Sequence, residues 1–77
     1  MDLYIAICLN RHIDEYVRVF SSIDKAIQCC KEFMSNEDDV KEQELTKDMI
    51  DDGWIYYATY GESDSVRVEK RNLDKEA

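Results

Sequence analysis

Apolar and polar residues alternate along two stretches near the start of the chain. In residues 3–9, leucine and isoleucine occupy every second position, with tyrosine, alanine and cysteine between them. This period of two is typical of a β-strand, and residues 15–20 repeat it with Val17 and Val19. The polar residues 10–14 between the two stretches indicate a turn, so this part of the chain predicts an antiparallel hairpin.

A helical pattern follows the second strand. Apolar residues recur three, four and seven positions apart, which places them on one stripe of an amphipathic helix. Ser21 and Ser22 precede the stripe and Asp24 lies in its first turn, where a hydroxyl cap and a carboxylate both favour a helix start. Ser35 and Asn36 are expected to end the helix. The stripe consists of Ile23, Ala26, Ile27, Cys30, Phe33 and Met34.

Acidic residues dominate the stretch after this helix. Residues 32–52 contain nine acidic residues and two lysines, so they carry about seven of the net eight negative charges. Residues 36–43 are predicted to form an exposed acidic loop or a frayed first helical turn. Residues 44–52 have apolar residues at helical spacing and predict a short second helix, which Gly53 ends.

The stretch from Trp54 to Lys70 predicts a second hairpin with a turn at residues 61–64. Its first strand is apolar or aromatic on both faces. A small domain has one core, so such a strand is either sandwiched or offers one face to a partner. One face would carry Trp54, Tyr56, Ala58 and Tyr60, and the other Ile55, Tyr57 and Thr59.

The predicted fold is α+β: a four-stranded antiparallel sheet in the order β-β-α-(α)-β-β, with one main helix packed on one face. Residues 1–70 form a single domain, and residues 71–77 form a charged tail that is expected to fray. The expected core contains Leu3, Ile5, Ile7, Val17, Val19, Ile27, Cys30, Phe33, Val66 and Val68, with Trp54, Tyr56 and Tyr60 on the same side. The other sheet face would then show Tyr4, Tyr16, Ile55 and Tyr57 beside Arg18 and Arg67.

The charge balance narrows the range of partners. Eighteen acidic and ten basic residues give a net charge of −8, which disfavours direct contact with nucleic acid or an anionic membrane, because both require clustered lysine and arginine. Three cysteines are not a disulfide framework and indicate a reducing compartment, so the expected location is the cytoplasm, that of a host cell if the protein is viral. The apolar N-terminal run lacks basic residues and is too short for a signal peptide or a membrane span.

No combination of residues is typical of a catalytic or metal site. Cys8, Cys29, Cys30 and His12 lack the spacing of a zinc site, and residues 36–41 lack the glycine and the alternating acids of an EF-hand loop. His12 has no nucleophile pattern around it, and two glycines cannot form a glycine-rich phosphate loop. We therefore predict a protein that is not an enzyme and that holds no cofactor and no metal.

The chain opens with Met-x-Leu-Tyr-Ile, continues through a variable turn, and starts its helix with Val19-Phe20-Ser21-Ser22-x-x-Lys25-Ala26. This arrangement resembles a broad group of small phage and bacterial proteins built from a strand hairpin, a helix and a closing strand. The resemblance implies a fold rather than an activity. Small acidic proteins of phage and mobile elements often inhibit host enzymes by occupying nucleic-acid sites, and for this chain that association is an analogy.

Three functions follow from these patterns. In the first, the chain is an acidic interaction module that occupies a basic, nucleic-acid-binding surface of a partner protein. In the second, it is a homodimeric accessory domain that pairs through the aromatic sheet face. In the third, Tyr4, Tyr16 and Tyr57 stack single-stranded nucleic acid. The predicted partner-binding residues are Glu37, Asp38, Asp39, Glu42, Glu44, Asp48, Ile55 and Tyr57.

Overall fold

The structure is a computed structural model that describes residues 2–10, 14–61 and 64–72. His12, the tip of the second predicted turn and residues 73–77 lie outside the described residues. Within the described ranges the chain forms five strands and two helices. In chain order they are β1 (Asp2–Leu9), β2 (Tyr16–Phe20), α1 (Ile23–Phe33), β3 (Lys41–Glu42), α2 (Lys47–Asp51), β4 (Trp54–Tyr60) and β5 (Asp64–Asn72).

The strands form one antiparallel sheet with the order β2-β1-β5-β4-β3. Both predicted hairpins are confirmed, as β1–β2 and β4–β5. The predicted number of four strands is wrong, because β3 adds a fifth strand along the edge of β4. Two residues are too few for an alternating pattern to reveal a strand. β5 also runs through Arg71 and Asn72, which the sequence assigned to the tail.

Helix α1 packs against β1, β2 and β5, in agreement with the predicted main helix. The Ser22 hydroxyl caps it by accepting a hydrogen bond from the Lys25 amide at 3.4 Å. Ala26 and Cys30 are its buried residues. The short second helix predicted within residues 44–52 is α2, which Thr46 caps by accepting from the Met49 amide at 3.2 Å.

The core lies between α1 and the sheet. Cys30, Val66, Val68 and Tyr60 are buried as predicted, and Ile27, Phe33 and Tyr56 pack against them. Three buried alanines, Ala6 of β1, Ala26 of α1 and Ala58 of β4, allow the helix to lie close to the sheet. The buried apolar residues are Ala6, Cys8, Ala26, Cys30, Met34, Ala58, Tyr60, Val66 and Val68.

The prediction of which face of the first hairpin is buried is wrong. Ala6 pairs with Val68 and faces α1, so the residues on either side of Ala6 face away from the helix. Val17 and Val19 are 48% and 56% exposed. A period of two separates the faces without saying which one the helix covers, and on β1 the helix covers the face that carries the small Ala6 and Cys8. Five residues that were predicted for the core therefore lie on the face away from α1: Leu3, Ile5, Ile7, Val17 and Val19.

The predicted faces of Trp54 and Ile55, at the start of β4, are wrong because the strand is irregular there. Trp54 pairs with Glu69 and Tyr56 with Val68, so the ladder shifts by one residue between them. Trp54 therefore lies on the side of Tyr57, and Ile55 packs against the core instead of joining Tyr57. The sequence pattern predicts the reverse, with Trp54 on the core side and Ile55 on the face of Tyr57.

Candidate interaction site

The sheet face opposite α1, which we call the open face, is the first candidate surface. Helix α1 lies on the other side, and α2 contacts β4, so among the described elements no helix covers β1 and β2 here. A continuous aliphatic patch extends over these two strands, which is unusual for a surface that stays in water. Its members are Leu3, Ile5, Ile7, Leu9, Val17 and Val19.

The other half of the open face combines aromatic rings with a row of charges on β5. The Arg67 guanidinium lies 4.9 Å from the centre of the Trp54 ring, and the Trp54 and Tyr57 rings meet edge to face at 5.4 Å. Glu69 is 7% exposed and accepts from both Arg67 and Arg71. The carboxylate thereby holds both guanidinium groups against the sheet.

The charge of the open face differs in sign from that of the whole chain. Among the described residues of its strands, three positive side chains, those of Arg67, Arg71 and Lys41, accompany the one negative side chain of Glu69 on this face, so the described part of the face has a surplus of two positive charges. The whole chain has a net charge of −8. The acidic side chains therefore lie predominantly elsewhere.

The acidic segment, residues 37–52, is the second candidate surface. None of its carboxylates forms an ion pair with a lysine or arginine within the part of the chain that the structure describes. The segment is anchored beside the β4–β5 turn, because the Gly61 amide donates to the Asp38 carbonyl at 3.1 Å. The predicted binding residues in it are all exposed: Glu37, Asp38, Asp39, Glu42, Glu44 and Asp48.

Two tyrosine hydroxyls of β4 donate hydrogen bonds, one to the acidic segment and one to the end of β1. The Tyr56 hydroxyl donates to the Glu42 carboxylate at 2.9 Å, and burial, followed by this carboxylate, raises the pKa of Tyr56. The Tyr60 hydroxyl donates to the Leu9 carbonyl at 2.9 Å, and burial raises the pKa of Tyr60. Glu42 therefore has a structural partner, whereas the other predicted carboxylates face solvent.

The remaining predicted aromatic residues do not form one platform. Tyr4 packs against the core, and Tyr16 stacks on Phe33 of α1 with ring centres 5.6 Å apart. Tyr57 lies on the opposite face. The three tyrosines of the nucleic-acid hypothesis are thus divided between the two sides of the sheet.

Sequence reasoning missed the aliphatic half of the open face. The alternation of residues 3–9 was visible, but it was assigned to the core because large aliphatic side chains are most often buried. Trp54 was also assigned to the core, since nothing in the sequence marks the irregularity beside it. No residue pattern would have assigned the aliphatic residues or Trp54 to the open face without the strand register.

A cleft and two cysteine thiols among the described residues lie on the helix side of the sheet. A cleft of about 440 Å³ between α1 and β2 includes Arg18, Cys29 and Phe33 in its lining, and burial raises the pKa of the Cys29 thiol. A hydrogen bond with the Cys30 thiol, together with burial, raises the pKa of Cys8. Thiols with raised pKa values stay protonated at neutral pH and are poor nucleophiles.

Among residues 2–10, 14–61 and 64–72, no group of three or more histidine, cysteine, aspartate or glutamate residues is arranged to bind a metal ion. Neither described helix has the length and apolar character needed to cross a membrane. Comparison of the chain with protein families, characterised proteins and solved structures finds no match. A functional argument therefore starts from the two surfaces.

The raised pKa of Tyr56 predicts a loss of stability in alkali. Above pH of about 10, tyrosines of the unfolded chain ionise while Tyr56 in the folded chain stays neutral. The unfolded state then binds fewer protons, so the free energy of unfolding falls as the pH rises. Tyr56→Phe is expected to cost about 1 kcal/mol at neutral pH and to make the alkaline decline shallower. Urea unfolding from neutral pH to about pH 11 measures both, and a decline as steep as in the wild type would contradict the assignment.

Proposed function

We propose that this chain is a non-enzymatic protein-binding module whose acidic segment docks on a basic surface of a partner protein. The observation that carries the proposal is the lack of ion pairs around this segment within the described residues. A charged surface that is not neutralised by its own protein remains available to a partner of opposite charge.

The positions of the basic side chains support this proposal. Arg67 and Arg71 bind Glu69, and the Lys70 ammonium lies 3.5 Å from the Asp2 carboxylate. These cations belong to β5, in the centre of the sheet, whereas the acidic segment follows the edge. Lys41 and Lys47 lie within the segment but form no ion pair with its carboxylates among the described residues, so eight acidic residues against two lysines leave a surplus of six negative charges. This field would accelerate association with a cationic surface.

The partner that fits best is a protein with a nucleic-acid-binding groove. Such grooves are lined with lysine and arginine that contact phosphates, and exposed carboxylates can take the place of those phosphates. By analogy with small acidic phage proteins that occupy nucleic-acid sites, the chain would then act as an inhibitor of a host enzyme. On this proposal, the chain and a nucleic acid compete for one site on the partner.

The test compares two sets of four substitutions with equal net charge. The first set, Glu37→Gln, Asp38→Asn, Asp39→Asn and Glu44→Gln, neutralises the segment and leaves Glu42 with Tyr56. Asparagine also suits Asp39, whose φ of 58° lies in the left-handed region. The matched set neutralises four exposed carboxylates elsewhere, by Asp14→Asn, Glu15→Gln, Asp24→Asn and Glu32→Gln.

Binding to a lysine- and arginine-rich peptide is measured for both sets at low and moderate salt. We expect the segment set to bind the peptide at least about tenfold more weakly than the wild type does. The affinity of the matched set should fall by about threefold at most, because charges close to the peptide contribute more than distant ones. Partners captured from cells should be released by the same salt increase. Equal losses in the two sets would show that only net charge matters and would remove the proposal.

A further inference from the structure

We infer that the open face binds a second copy of this chain, across a twofold axis that runs perpendicular to the strands. This inference concerns a different surface from the acidic segment and does not depend on the proposed function. It starts from the way the open-face residues are arranged in rows.

Two rows of four residues cross the centre of the open face. Strand register aligns Val17, Ile7, Arg67 and Tyr57 in one row. The adjacent row consists of Val19, Ile5, Glu69 and Trp54. At every strand the two rows carry the same class of side chain, except on β5, where the charges are opposite.

A twofold axis between the rows places each row on the other row of the second copy. Aliphatic residues then meet aliphatic residues, and aromatic residues meet aromatic residues. Arg67 of one copy faces Glu69 of the other, and the same pair forms again on the other side of the axis. An axis parallel to the strands would instead place each charge on its own equivalent, so the charge pattern selects the perpendicular axis.

The size of the open face fits such a dimer. Five strands spaced about 4.8 Å apart make it about 24 Å wide, and the seven residues of β4 make it about 23 Å long. The projected area is about 550 Å² before side-chain relief is added, close to the roughly 600–800 Å² per partner of small specific interfaces. Two sheets stacked face to face would also cover the aliphatic patch.

Electrostatics gives this dimer a distinctive salt dependence. Each copy has a net charge of −8, while the open face has a surplus of two positive charges. Repulsion between the two acidic molecules opposes association, and salt screens it. Dimerisation should therefore strengthen as salt rises, whereas binding of the acidic segment to a basic partner should weaken.

The experiment is sedimentation of the full chain between about 5 and about 500 μM, where weak interfaces of this size dissociate. Fluorescence of Trp54, the single tryptophan, reports on the open face directly. We expect a monomer–dimer equilibrium and a blue shift of the Trp54 emission on association. A chain that stays monomeric throughout, at low and high salt, would overturn the inference.

Two valines with similar exposure provide matched variants. Val19→Asp on the open face should weaken the dimer by at least about tenfold, because it buries a charge against an aliphatic side chain. Val40→Asp makes the same chemical change at a residue that is 42% exposed and lines a cleft beside Met34 of the helix side, and it should leave the dimer intact. Circular dichroism checks that both variants are folded, and equal weakening by both would overturn the inference.

Mixed dimers test the axis itself. In the inferred register Val17 of one copy faces Val19 of the other, so chains with Val17→Lys and chains with Val19→Asp should form a dimer when mixed. Chains with Val19→Lys and Val19→Asp should associate less, because these positions do not face each other. Equal association of both mixtures would reject this axis. A short single-stranded oligonucleotide that quenches Trp54 in a monomeric chain would assign the open face to nucleic acid instead.

Discussion

Ala6→Asp is expected to unfold the chain at room temperature, whereas Val19→Asp is expected to leave a folded monomer. Ala6 is fully buried between α1 and the sheet, and Val19 is 56% exposed on the opposite face. Burial of a carboxylate without a partner, added to the strain of a larger side chain, costs about 5–8 kcal/mol. A domain of this size is stable by about 4–8 kcal/mol, so the first substitution removes most or all of that stability.

The comparison is informative because both variants gain one negative charge and lie on neighbouring strands. Circular dichroism and urea unfolding at neutral pH measure the outcome. Val19→Asp should lower the free energy of unfolding of the monomer by less than about 1 kcal/mol, as is usual for surface substitutions. If Val19→Asp unfolds the chain and Ala6→Asp does not, then the first hairpin is buried on the side that the sequence predicted.

Gly53→Ala is expected to lower the free energy of unfolding by about 2–3 kcal/mol. Gly53 has a φ of +93°, and a Cβ there would lie 2.9 Å from the Lys70 carbonyl oxygen, a backbone atom that cannot move freely. The Lys70 amide also donates to the Gly53 carbonyl at 2.7 Å, so the turn after α2 is held against β5. Relief of the clash would pull β4 away from its central neighbour.

Gly61→Ala provides the matched control. Its φ of +60° also lies in the left-handed region, but the contact that a Cβ there would make among the described residues is with the Asp64 carboxylate, at an ordinary 3.7 Å. We therefore expect the free energy of unfolding to fall by about 1 kcal/mol, which is the cost of the left-handed backbone conformation alone. Urea unfolding of both variants separates the close contact from the backbone conformation, and losses of equal size would show that the contact with Lys70 costs nothing.

The two surfaces imply partners of different chemistry. The acidic segment lies along the edge formed by β3, and its carboxylates are free of ion pairs within the described residues. The open face concentrates aliphatic and aromatic side chains and holds the Glu69 carboxylate between Arg67 and Arg71. One chain could therefore dimerise through the sheet and still present an acidic segment on each copy. The opposite salt dependences of the two contacts allow each to be measured in the presence of the other.

Local signals in the sequence were sufficient for most elements. The stripe from Ile23 to Met34 and its serine cap identified α1, because helix periodicity and capping depend on residues close in the chain. Alternation identified the strands of both hairpins for the same reason. The core positions predicted on α1 and β5 were confirmed, since these elements have one apolar face each.

The amino-acid sequence by itself determined the α+β class, the two hairpins, the capped helix and the exposed acidic segment, all of which follow from patterns within a few neighbouring residues. The tertiary structure alone decided which side of β1 is buried, where Trp54 points and which residues share the two rows of the open face. Those facts depend on how β1 pairs with β5, more than fifty residues away, and on how closely α1 can approach. On β1, α1 packs against the small side chains of Ala6 and Cys8, which leaves the larger Leu3, Ile5 and Ile7 on the open face. The register of β2 then places Val17 and Val19 beside them.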